Sequence, residues 1–148
     1  MSVSLYGSGQ TILQVVQSTS TALTSTTSST LSSTGVSATI TPQATTSKIL
    51  CVLNLPIWNA TTGNGAAAQI SRNSGAALSV QVNSSFAGNN TAQNINIVWL
   101  DTPATTSSTT YVANFASMNN SSTVTTNKDW NSANTGQTTL TLLEISGS

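Results

Sequence analysis

The chain has no histidine, one cysteine, three acidic and three basic residues in 148 positions. Each scarcity excludes something. Without imidazole there is no side chain that titrates near neutrality, and neither a Ser–His or Cys–His nucleophile nor a histidine metal site can be assembled. A single cysteine rules out an internal disulfide and a thiolate metal cluster. Cys51 sits inside the apolar run "KILCVLNLPIW" and reads as a buried, inert thiol. The net charge is zero and Lys48, Arg72 and Lys128 are scattered, so no basic stripe exists to neutralise phosphates, and no nucleic acid partner is expected. No apolar run approaches the roughly 20 residues of a membrane span. The first residues, "MSVSLYGSGQ", lack the basic and apolar regions of a signal peptide. We expect no membrane partner and a chain outside the secretory route.

Ser, Thr, Asn and Gln fill about half of the chain. Solubility must therefore come from hydroxyls and amides. Polar chains of low hydrophobicity stay disordered, but here runs such as "NINIVWL" interrupt the polar tracts and provide material for a core. The length fits one compact domain without metals or disulfides. We expect a single domain over 1–148, with 1–10 as an N-terminal arm.

Threonine, valine and isoleucine suit a pleated strand, whereas Ser, Thr and Asn compete with helix hydrogen bonds. Apolar and polar residues alternate with period two over 36–41 and 78–83. Further strands are predicted at 11–17, 21–27, 48–57, 66–72, 93–100, 109–116, 122–127 and 138–145, separated by turn-prone clusters such as "TTGNG" and "MNNSS". The hydroxyl tract 18–35 is expected to be extended and paired. Short strands at regular spacing, with no helical period, predict an all-β fold: one antiparallel β-sandwich, jelly-roll-like.

Three of these segments carry more. In 48–57, Ile49, Cys51, Leu53, Leu55 and Ile57 alternate with Leu50, Val52 and Pro56, so both faces are apolar; 95–100 and 140–145 behave alike. Antiparallel sheets usually keep one face solvated. A sheet apolar on both sides predicts a second cover, and with no helix to supply it, another copy of the chain is the expected one.

Material for catalysis is thin. Nucleophilic chemistry would have to pair a serine with Lys48 or Lys128, and paired carboxylates would have to come from Asp101, Asp129 and Glu144. No acidic cluster offers the converging oxygens of a calcium site, and "GSG" at 7–9 and "GNG" at 63–65 precede no helical pattern. We expect no enzyme: no catalytic residue, no cofactor and no metal. Asp101, ahead of Thr102 and Pro103, reads as a turn residue accepting backbone N–H groups. Among aromatics, Trp99 reads as core, while Trp58 and Trp130 could stack on a sugar or anchor a subunit contact.

Three blocks in order, "GVSATITPQATTSKILCVLNLPI" (35–57), "WLDTPATTSSTTYVANF" (99–115) and "TLTLLEIS" (139–146), preceded by "ILQVVQSTSTALTSTT", resemble a family of tailed-phage virion proteins. Its members include capsid cement or decoration proteins and distal fibre domains. The resemblance implies a jelly-roll-like sandwich working as a homotrimer on the outside of a virion. Strand-like sequence beginning near Thr11 leaves no room for a shaft, so the expected function is a cement or decoration protein on the outer surface of the capsid, with the major capsid protein as partner. The alternative is a short fibre or receptor-binding tip recognising host surface glycans.

Overall fold

A computed structural model of the chain describes residues 9–73, 75, 77–79, 81–85, 90–129, 131 and 136–147. The arm expected at 1–10 therefore falls, apart from Gly9 and Gln10, outside the described residues, as does Trp130. The described residues form ten strands and no helix: β1 (Ile12–Ser20), β2 (Ser25–Thr26), β3 (Ser32–Ile40), β4 (Lys48–Asn59), β5 (Gly65–Arg72), β6 (Val82–Ser85), β7 (Thr91–Asp101), β8 (Thr109–Ser117), β9 (Val124–Thr126) and β10 (Thr138–Ile145).

Every pairing is antiparallel. In sheet A, β4 is flanked on one side by β7 and on the other by β10 and, further along, β9; β1 and β2 continue outward from β10 and β9. Sheet B has the order β3-β8-β5-β6. With β1–β2 and β9–β10 taken as the broken halves of two long strands, every connection except the β5–β6 hairpin crosses between sheets. The orders β1-β10-β4-β7 and β3-β8-β5-β6 are then those of a jelly roll, and the fold class expected from alternation is the one observed.

The core lies between the sheets. Ile49, Leu53, Leu55 and Ile57 of β4, Leu140 and Leu142 of β10, and Tyr111 and Phe115 of β8 are all essentially inaccessible to solvent. Alanines on β5 make room for the larger neighbours, as where Ala68 pairs with Phe115. Glycine is needed at two places. Gly35 has φ +85° at the break in β3–β8 register between Ser33 and Ser37, where the Thr34 hydroxyl donates to the Ala113 carbonyl at 3.0 Å. A Cβ at Gly65 would lie 2.7 Å from the Ser84 carbonyl oxygen, closer than β5 and β6 can tolerate.

The strand expected at 78–83 lies later than predicted, at Val82–Ser85. Leu78 instead donates its N–H to the Ile70 carbonyl at 2.9 Å, and the Ser79 hydroxyl accepts from Ile70 N–H at 3.1 Å, so this stretch folds back on β5 before pairing resumes. The hydroxyl tract is ordered through partners far away in sequence: Ser25 and Thr26 pair with Thr125 and Val124.

Candidate functional site

Two adjacent rows of sheet A hold most of what is unusual in this chain. Register aligns Gln14, Glu144, Ile49 and Asp101 across β1, β10, β4 and β7, and in the next row Val15, Leu143, Leu50 and Leu100. Successive residues of a strand point to opposite faces. The first row faces the core and carries two of the three acidic residues of the chain; the second faces outward and is wholly apolar.

The inward acids are satisfied in different ways. Asp101, 7% exposed, accepts through Oδ2 from Arg72 Nη1 and from the Tyr111 hydroxyl, both at 2.7 Å. Arg72 and Tyr111 are cross-strand neighbours in sheet B, so Asp101 clamps one sheet to the other. This corrects the expectation that it holds a turn through backbone N–H groups: as the last residue of β7 it faces inward, where a cation and a hydroxyl are within reach. Burial, the hydrogen bond to Asp101 and its nearby charge all push the Tyr111 phenol upward. Glu144 instead accepts only from neutral donors, from the Gln43 N–H at 2.7 Å and the Gln14 amide at 2.6 Å. Burial pushes its carboxyl up, but the hydrogen bonds from Gln14 and Gln43 outweigh it and hold the group below the ordinary value of 4.5. Both carboxylates are closed off from solvent, so neither faces a substrate.

The remaining candidates for chemistry are similarly engaged. Cys51 is fully buried, and desolvation together with the Asp101 charge pushes its thiol up to about 12, which keeps it protonated and unreactive at neutral pH. Among the described residues no hydrogen bond joins Lys48 or Lys128 to a serine, and no group of three metal-ligating side chains comes together. Trp99 packs partly buried against the core, as expected. Trp58 is only 7% exposed, with Lys128 Nζ 3.5 Å from its ring centroid. It is therefore not an open stacking platform for a sugar.

The outer face of sheet A has two ends. At the Trp58 end the chain covers itself: Asn127 N–H donates to the Pro56 carbonyl at 2.9 Å, Lys128 lies over Trp58, and Gly136 approaches Pro56. Beside this cover runs an open groove of about 510 Å³ whose walls include Asn54, Asn94, Gln137 and Thr139. At the other end nothing among the described residues covers the apolar row. Val15 is 57%, Leu100 48% and Val98, in the following row, 67% exposed. The outer face of sheet B offers a contrast, with Thr39 beside Thr110, Ser37 and Ser71 flanking Val112, and Asn114 beside Gln69.

The two-faced pattern of 48–57 and 95–100 pointed to this surface, but the part played by β1 was missed. Its signal was present in "ILQVVQ", where Leu13 and Val15 interleave with Val16. The Arg72–Asp101–Tyr111 clamp had no local signal, because it depends on which strands face each other across the core.

No family model matches the chain, and a search of curated proteins finds no match.

Proposed function

We propose that this protein is a structural component of a virion: a cement or decoration protein that binds the outer surface of the major capsid protein shell as a homotrimer and stabilises the head. One observation carries the reading more than any other. Among the described residues, where hydroxyls and amides cover most of the surface, one end of a sheet face is bare and apolar, which in soluble proteins marks a surface made for association. Two further features support it. The two buried acids serve as internal fastenings rather than as reactive groups, and the quoted blocks resemble phage virion proteins of this kind.

On this reading the protein adds buried area across contacts between shell subunits. Its polar surfaces meet the shell through amide and hydroxyl hydrogen bonds rather than ion pairs, so attachment changes little with ionic strength, unlike contacts between exposed charges. The test is the copy number of this chain in purified virions, measured against the major capsid protein by quantitative mass spectrometry. Hundreds of copies in simple ratio to the shell protein support the proposal; absence from the particle overturns it. The amide-lined groove beside Asn54 and Asn94 favours a second reading, a fibre tip that recognises host glycans. A handful of copies per particle would select that reading.

A further inference from the structure

We infer that the bare end of the outer face of sheet A is where a second copy of this chain docks, enclosing the Val15–Leu143–Leu50–Leu100 row between protomers. The inference rests on the oligomeric part of the reading above, not on its virion part.

Four observations identify a second copy as the occupant. The first is the scarcity of charge. Both exposed rows, Val15–Leu143–Leu50–Leu100 and Gln17–Thr141–Val52–Val98, are neutral, and the charge beside them is Lys48, which pairs with Ile145 in the next outward row. Surfaces that choose a foreign partner commonly use complementary charge, whereas a face that meets copies of itself gains nothing from carrying one sign.

The second is shape. A hollow of about 260 Å³ opens between Ile12, Leu50, Leu143 and Ile145 near the β1 edge, while Val98 and Leu100 stand most exposed on β7 at the opposite edge. The face thus carries both an apolar projection and an apolar recess. Contacts between unlike patches of identical chains generate rings when the rotation closes.

The third is area. Four strands about 4.8 Å apart and about eight residues long at ~3.4 Å each give a face of roughly 500 Å² in projection. Side-chain relief brings this towards the ~800 Å² per partner of a standard interface. The Val15–Leu143–Leu50–Leu100 row with Val52 and Val98 forms its centre, and Gln17, Thr141, Thr19, Thr139, Asn54 and Asn96 its wet margin, the anatomy of a protein–protein contact.

The fourth is the edge. Among the described residues β7 has a ladder partner on one side only, β4, so in its 96–101 half alternate residues turn backbone groups away from the ladder, next to the apolar row. Strand edges of this kind pair with further chains unless they are covered.

The experiment is sedimentation of the full chain at micromolar concentration, wild type beside Val98→Lys, Leu100→Lys and Val112→Lys. Val98 and Leu100 point outward from sheet A, and Val112 points outward from sheet B as the control. The expected result is an oligomeric wild type, association weakened at least about tenfold by either sheet A lysine because an unpaired charge would be buried, and no change for Val112→Lys. Circular dichroism verifies that each variant folds; Val98→Thr, which adds no charge and no bulk, reports in place of a lysine variant that does not.

A wild type that is monomeric at about 100 µM, far above the micromolar working range, overturns the inference, as does an oligomer that all sheet A variants leave intact. If the monomer gains protection at Val98 and Leu100 only on binding capsids, the face belongs to the shell protein and the inference again fails. Failure here and failure of the virion reading are distinguishable. A monomer present in hundreds of copies per particle removes the interface alone, and an oligomer broken by Leu100→Lys but missing from virions removes the virion role alone.

Discussion

Sheets A and B distribute polarity in opposite ways. Sheet B follows the ordinary rule, with Ile70, Ala113 and Phe115 turned inward and Thr39, Thr110, Asn114 and Gln69 turned to water. At one end of sheet A the rule is reversed over two neighbouring rows: Glu144 and Asp101 face the core, and Val15, Leu143, Leu50 and Leu100 face outward. The difference teaches where a chain with only six charged residues spends them. Two of its acids close one end of the interior, and the outer side of the same end of sheet A is left apolar.

Removing the inward polarity gives the largest expected effect. Arg72→Met leaves the Asp101 carboxylate buried without its cation, and a loss of about 3–5 kcal/mol is expected. Asp101→Asn costs less, about 1–3 kcal/mol, because Arg72, with a side chain 31% exposed, can turn its charge to water. Urea unfolding of both variants checks the order; equal losses would show that the clamp does not depend on burial.

Next in size is a neighbouring pair on β10. Leu142 is fully buried and Leu143 points outward. Leu142→Ala is expected to lose about 2–5 kcal/mol through the cavity it leaves, whereas Leu143→Ala should cost the isolated protomer about 1 kcal/mol or less and act on association instead. Unfolding measured at low protein concentration, where protomers are separate, tests the pair.

Smaller still is a pH effect. The Glu144 carboxyl is held below its ordinary value of 4.5 in the folded state. Its stabilising contribution is therefore complete above pH 4.5 and is lost as the pH falls through the lowered value. The gap in melting temperature between wild type and Glu144→Gln should narrow as pH falls from about 7 to about 3; a constant gap would mean that the ionised form is not what the donors favour. The smallest change concerns Cys51. With its thiol pushed up to about 12 and fully buried, it should react with thiol reagents at neutral pH only as fast as the protein unfolds.

The fold was largely legible because β structure writes its period into the residues. Alternation at 36–41 and turn-prone clusters between the other segments predicted ten strands that overlap the ten observed; the one at 78–83 was placed early because Leu78 and Ser79 bond back to Ile70. The apolar character of both faces of β4 was equally legible, since Leu50 and Val52 interrupt an otherwise alternating strand with further apolar side chains. What could not be read was which strands lie opposite each other. Asp101 before Thr102 and Pro103 has the local signature of a turn, and only the packing of β7 over β5 and β8 turns it into an inter-sheet clamp. Trp58 looked available from its place at a strand end, and its cover comes from residues about 70 positions later in the chain.

If the bare end of sheet A is enclosed by assembly, the two outer faces differ in solution, one protected and the other wet. Hydroxyl-radical footprinting of the native chain measures this directly, because leucine and valine side chains are labelled in proportion to their exposure. Val15, Val98 and Leu100 are expected to be protected at micromolar concentration and to become labelled on dilution, while Val112 on sheet B labels at every concentration. Equal labelling of both faces at all concentrations would contradict that enclosure.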